Sequence, residues 1–181
     1  MATQRWPALW LLTDERMGAE LAQAMERAAA AGAGILVRHH RSSDAERRAL
    51  VEEVKQLGAP LALARDVALA RKAGALFVHN PAGEPGDLPF SLSVHDEAEA
   101  QLAAERGAAL VFVSPVYQTR SHPGAAVLGE EKARELARLA GCFAVALGGM
   151  DAMRGAALLQ RGFDGWAGID CWRQNLKAVP I

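Results

Sequence analysis

The side chains able to do chemistry in this chain recur in one setting, at or shortly past a short apolar run. All five histidines, His39, His40, His79, His95 and His122, stand there. Imidazole protonation is easily placed near neutral pH, so such residues suit general acid or base work. No two of them share the i, i+4 spacing of a helical zinc motif. Because side chains alternate along a strand, His39 and His40 are not both expected to face one site. Arg38, Arg65 and Arg120 occupy the same kind of position, and Arg120 sits within Ser114-Pro-Val-Tyr-Gln-Thr-Arg-Ser-His122. Thr119, Ser121 and His122 are short donors beside that cation, a composition suited to gripping an anion. A second anion signal is Gly148-Gly149, between an apolar run and the helix expected to open at Asp151. Backbone N–H groups exposed at such a turn hold phosphates or carboxylates. No nucleophilic triad is evident.

Composition narrows the partners. With 20 Lys and Arg against 21 Asp and Glu, the formal net charge is −1, so nothing global attracts nucleic acid or an anionic membrane, and any anion site is local. The two cysteines, Cys142 and Cys171, lack metal-ligand spacing and are expected to be reduced and structural. With no apolar stretch of about 18 residues, the expected compartment is the cytoplasm.

The elements that must position these residues are read from six junctions. At Gly32, Gly58, Gly74, Gly107, Gly141 and Gly162 a segment of helical periodicity ends in glycine and an apolar run follows. The runs lack polar alternation, which marks strands buried on both faces. Together with Ala8–Leu12 and Phe90–Val94 they make eight strands. The stretch from Asn80 to Pro89 holds three prolines and two glycines, so the fourth crossover is expected to be a loop. Eight alternating units predict a single α/β domain over residues 1–181, a (β/α)8 TIM barrel. The competing open sheet expects a glycine-rich turn after strand one, and Thr13–Gly18 is not one. In a barrel, chemistry sits on the loops after the strands' carboxyl ends. Arg38, His79, Ser93, Thr119, Gly148 and Asp170 should then share one rim.

Taken together, the Ser114–His122 loop, the turn Ala146-Leu-Gly-Gly-Met150, the segment Gly165-Trp-Ala-Gly-Ile169 and the opening Leu11-Leu-Thr-Asp14 resemble the thiamine phosphate synthase and thiazole tautomerase (TenI-like) superfamily. The resemblance runs from about Leu9 to Trp172. It implies a transferase of thiamine biosynthesis that joins an aminopyrimidine diphosphate to a thiazole phosphate with Mg2+ and releases pyrophosphate. Position by position, it implies Arg38, Ser93 and His122 as catalytic. Arg38, Arg65, His79, Thr119, Arg120, Ser121, His122, Gly148, Gly149 and Gly168 are expected as the phosphate- and substrate-binding set, Arg65 and Arg120 by their charge at the mouth and not by a family match. His122 stands where the family has a pyrophosphate-binding lysine, and the oligomeric state is left open.

The departures from the family pattern are specific. Its Asn-Asp pair after strand three falls at Ala64-Arg65, which weakens the implied Mg2+ site and leaves Asp66 and Glu84 as the candidate metal carboxylates. Leu36 and His40 replace a Gln and a Lys of the strand-two motif. Asp170 replaces a serine beside the expected phosphate, a repulsion of about 4 kcal/mol at about 4 Å and an effective dielectric of about 20 unless a cation intervenes. Pro115 stands where the tautomerase has its catalytic His. Three readings follow: a divergent synthase, a TenI-like isomerase or related enzyme on a thiazole or pyrimidine, and a non-catalytic thiamine-precursor binding protein.

Overall fold

The computed structural model describes residues 6–119, 124 and 126–173. Eight parallel strands close into a barrel: β1 Leu9–Leu12, β2 Gly34–Val37, β3 Leu61–Ala64, β4 Val78–His79, β5 Phe90–Val94, β6 Leu110–Val113, β7 Phe143–Ala146 and β8 Gly165–Gly168. Each pairs with the next, and β8 returns to β1 through Leu9↔Trp166 and Leu11↔Gly168. Six α-helices lie between strands: α1 Leu21–Ala30, α2 Asp44–Gln56, α3 Val67–Ala73, α4 Glu97–Glu105, α5 Gly129–Ala140 and α6 Ala152–Leu159. The expected TIM barrel is therefore present. All six junction glycines take positive φ, between 66° and 98°, as the reversal from helix into strand requires.

The β4–β5 crossover has no helix, as its prolines predict. It is pinned instead by Arg71, which pairs with Asp87 at 2.6 Å and donates to the Pro85 carbonyl at 3.0 Å. β4 is only two residues long, so His79 belongs to the strand itself and not to the loop after it.

Strand alternation sorts the core into layers. Trp10, Leu12, Leu36, Ala62, Phe77, Leu110, Phe112, Val145 and Ala167 pack inside the barrel, while residues such as Leu11, Ile35, Val37, Val111 and Val113 face the helices. The Trp10 ring lies 5.1 Å from Phe77 and 6.4 Å from Phe112 in edge contacts. Gly34, its neighbour on β2, makes room for that indole, because a Cβ there would fall 2.4 Å from the ring. Bulky aromatics thus fill the barrel and leave its carboxyl-end mouth for polar groups.

Candidate active site

A cavity of about 640 Å³ opens at the carboxyl ends of the strands. Arg38, His79, Ser93, Thr119, Gly148, Gly149, Gly168 and Asp170 all line it. The rim expected from the sequence is assembled. Arg120, Ser121 and His122 lie outside the described residues.

Arg38 is fixed by the end of β1. Its backbone N–H donates to Thr13 Oγ1 at 3.0 Å, its Nε to the Thr13 carbonyl at 3.1 Å, and one terminal nitrogen to Asp14 Oδ2 at 3.0 Å. Asp14 also accepts from Arg16, and these bonds hold its carboxyl below the usual range against the opposing effect of burial. Burial lowers the Arg38 pKa from its ordinary value, with Asp14 opposing, but a guanidinium stays charged in proteins. The same Thr13 hydroxyl bonds His39 Nδ1 at 2.9 Å, so His39 is buried in a structural contact while His40 is exposed, and neither lines the cavity.

His79 anchors a polar cluster on β4 and β5. Its Nδ1 lies 2.8 Å from Ser91 Oγ, its Nε2 lies 3.3 Å from Ser93 Oγ, and its ring meets the Phe112 ring edge-on at 5.1 Å. Asn80 Nδ2 donates to the same Ser93 hydroxyl at 3.0 Å, and the Ser93 N–H donates to Asn80 Oδ1 at 2.9 Å. Burial, reinforced by the charge on Arg38, pushes the His79 pKa down to about 3. A neutral imidazole therefore orients Ser93 at neutral pH. His95, also in the lining, bonds Glu99 at 2.7 Å.

Gly148 and Gly149 have φ of 98° and 62°, a region that L side chains avoid. Space excludes side chains as well: a Cβ on Gly148 would fall 2.7 Å from Pro115 Cα, and one on Gly149 would fall 2.3 Å from the Gln118 carbonyl. The turn therefore docks against the loop after β6, tied by Val116 N–H to the Leu147 carbonyl and Tyr117 N–H to the Gly148 carbonyl. Arg154 stacks 4.6 Å above the Tyr117 ring and donates to the Gly149 carbonyl, and Asp151 caps α6 through the Arg154 N–H at 2.9 Å. Gly148, Gly149 and Met150 all line the cavity, and among the described residues their N–H groups enter no backbone hydrogen bond.

The family model for thiamine monophosphate synthase matches residues 9–171. The chain belongs to this family. Among solved structures it is similar to a thiamine phosphate pyrophosphorylase from Pyrococcus furiosus, at 24% identity and a TM-score of 0.79 over 93% of this chain and 88% of that one. A thiamine phosphate pyrophosphorylase from Bacteroides thetaiotaomicron follows at 16% identity and a TM-score of 0.62, covering 91% and 83%. FabK from Thermotoga maritima shares the fold at 15% identity and a TM-score of 0.72, covering 92% of this chain and 59% of that one. A search of curated protein sequences finds no match. Thiamine monophosphate synthases include transferases, and the β6 loop and the Gly-Gly turn lie within the matched span.

The β3–β4 side of the mouth does not assemble as expected. Arg65 does not line the cavity; it lines a separate open hollow with Arg47, Asp66 and Glu84. The reason lies in its backbone. Arg65 has φ of 69°, and the Asp66 N–H bonds the Ala64 carbonyl across it at 2.9 Å, a γ-turn that swings the side chain off the strand direction. Asp66 is the N-cap of α3, its Oδ1 accepting from Leu69 N–H at 2.8 Å, and Glu84 is exposed in a hollow that Arg47 and Arg65 also line. This donor set does not fit Mg2+, which wants several hard oxygens free of competing cations. Among the described residues no group of three or more His, Cys, Asp or Glu is placed to hold a metal.

Three contributors were not in the expected site set. Asn80 follows a strand visibly enough, but its bond to Ser93 depends on a left-handed φ of 45°. Thr13 is chemically unremarked until it is seen to hold both Arg38 and His39. Cys171 is a free thiol, as expected of both cysteines, yet it lines the cavity. Burial together with Asp170 and Asp151 pushes its pKa up to about 12, and burial raises that of Cys142 to about 11. Neither is set up as a nucleophile. No helix among the described residues is long and apolar enough to cross a membrane.

Proposed function

We propose that this chain is a divergent thiamine phosphate synthase, joining an aminopyrimidine diphosphate to a thiazole acceptor in thiamine biosynthesis. The observation that carries the reading is one mouth cavity lined by Arg38, by His79 and Ser93, which Asn80 holds from behind, and by the Gly148-Gly149 turn. In this reaction the C–O bond between the pyrimidine methylene and the diphosphate breaks, and its electron pair leaves with the diphosphate. The thiazole nitrogen's lone pair forms the new C–N bond, so the ring becomes a thiazolium and no proton need move. The protein's work is then to stabilise the departing anion and align the acceptor. Arg38 supplies charge and its Nη1 donors, while Ser93 supplies a hydroxyl held in place by neutral His79 and Asn80. Asp66, which caps α3, and Glu84, exposed in the β4–β5 crossover, do not offer Mg2+ the several hard oxygens it takes.

The isomerase reading is disfavoured by Pro115, which has no acid or base group and packs on Gly148. The test is turnover of purified protein with aminopyrimidine diphosphate and a thiazole acceptor, followed by pyrophosphate release and product mass. Coupling is the expected result. Binding of thiazole or pyrimidine with no turnover, and no rescue of a strain lacking the synthase, would make the chain a binding protein.

A further inference from the structure

The polar cluster on β4 and β5 contains one proton whose direction decides what the cavity can hold there, that of the Ser93 hydroxyl. Ser93 and His79 line the cavity, whereas Ser91 and Asn80 stand behind them. A main-chain N–H can only donate, so the Asn80 atom 2.9 Å from the Ser93 nitrogen is the amide oxygen. The amide nitrogen is then the atom 3.0 Å from Ser93 Oγ, and it fills one lone pair of that hydroxyl. The left-handed φ of Asn80, 45°, is what turns its amide back toward β5.

His79 decides the other lone pair. Burial keeps the ring neutral, so it carries a single N–H, and Ser91 selects which nitrogen holds it. Ser91 is fully buried, and among the described residues its hydroxyl meets only His79 Nδ1, at 2.8 Å. A proton on Nδ1 would leave the Ser91 O–H as a buried donor with no acceptor, an arrangement that folded proteins avoid. With the Ser91 O–H donating to a bare Nδ1, the ring proton sits on Nε2 and is directed at Ser93 Oγ, 3.3 Å away. Every buried donor of the cluster then has an acceptor.

We infer that Asn80 and the Ser91–His79 pair are positioning residues that fill both lone pairs of Ser93 Oγ and leave its O–H to donate into the cavity. At this point the site therefore takes an acceptor, such as a phosphate or diphosphate oxygen, and discriminates against a group that can only donate. The inference rests on the synthase reading only for the identity of that acceptor as the departing diphosphate. Asn80 and Ser91 act on it without touching it.

NMR of the His79 ring nitrogens in the unliganded protein reads the polarity directly. Nε2 should carry the proton and Nδ1 should be bare; a proton on Nδ1 overturns the inference, because Ser93 would then donate to the ring. Asn80→Asp gives a second test. It keeps the shape, the tolerance of left-handed φ and the bond from the Ser93 N–H, but its ionised carboxylate can only accept, so it draws the Ser93 O–H away from the cavity. In the wild-type background, Ser93→Ala should weaken pyrophosphate binding in calorimetry and lower kcat/KM by about tenfold or more. In the Asn80→Asp background the same substitution should change both by less than about twofold, since the hydroxyl no longer serves the ligand. The added charge is present in both members of that second pair and cancels from the cycle. Losses that simply add overturn the role of Asn80 and leave the synthase reading intact. Were wild type neither to couple its substrates nor to bind pyrophosphate, the synthase reading would fall, and the ring-nitrogen result alone would decide the inference.

Discussion

Strands β5–β8 close their side of the mouth with backbone, whereas β2–β4 close theirs with side chains on strained backbone. On the first side, Gly148 and Gly149 lie so near the main chain of Pro115 and Gln118 that a Cβ would clash, and the shape of this wall of the cavity is set by main chain. On the second side, the described non-glycine residues with positive φ are His39, Arg65 and Asn80, each one or two residues past the last residue of β2, β3 or β4. Such conformations cost about 1–3 kcal/mol and redirect side chains. Asn80 is turned toward Ser93, His39 toward Thr13, and Arg65 out of the mouth into the neighbouring hollow. The contrast teaches that one half of the rim takes its shape from main-chain packing while the other takes it from side chains redirected by strained backbone.

The largest effect should come from breaking the backbone-built half. Gly149→Ala places a methyl against the Gln118 carbonyl at a left-handed φ, so overpacking and strain add to a loss of about 3–5 kcal/mol in urea unfolding. Turnover should fall with it, because the β6 loop undocks. A variant as stable as wild type would mean that the turn is pliable and that the contrast between the halves is wrong.

On the charge-built half, Arg38→Ala should lower kcat/KM by about 100-fold or more, as loss of a donor to a developing anion does. Arg38→Lys should recover little, since an ammonium cannot reach the Thr13 carbonyl, Asp14 and a ligand at once. A wild-type rate in either variant would remove Arg38 from the mechanism.

His79 gives the pH signature of that half. Its pKa falls from 6.5 to about 3 on folding, so the unfolded chain binds the proton more readily than the native one. The stability from keeping the ring neutral is therefore full above pH 6.5 and is lost as pH falls from there toward 3. The slope is at most about 1.4 kcal/mol per pH unit. Unfolding free energies measured across that window should show this slope in wild type and lose it in His79→Gln. A wild-type curve flat through the window would show that His79 is accessible to protons in the native state.

How much of this was legible in sequence depends on whether main chain or side chain carries the information. The glycine junctions and the prolines of 80–89 state backbone geometry directly, and the barrel, its missing helix and the Gly148-Gly149 turn all follow from them. Arg38, His79, Ser93 and Thr119 reach the cavity because strand ends in a barrel have one destination. Arg65 was expected beside them by the same logic. It departs because a one-residue γ-turn intervenes, and no residue type at 64–66 announces it; Arg is not a residue that favours left-handed φ. Asp66, a candidate ligand from its place after a strand, is equally a helix cap by its place before α3, and the cap is what the structure uses.

The smallest effect concerns that turn and tests the contrast most finely. If Arg65 faces the outer hollow, its guanidinium contributes nothing to the departing anion, and Arg65→Ala should change kcat/KM by less than about twofold, against about 100-fold for Arg38→Ala. Its backbone is a separate matter. Alanine keeps the Cβ that clashes at φ of 69°, whereas glycine removes it, so Arg65→Gly should be more stable than Arg65→Ala by about 1 kcal/mol in thermal or urea unfolding. The comparison isolates strain because both variants lose the same side chain and the same charge. A large loss of turnover in both variants would return Arg65 to the mouth. Equal stability of the two would mean that the γ-turn relaxes at no cost, and that the β3 end is no more strained than the glycine turn opposite.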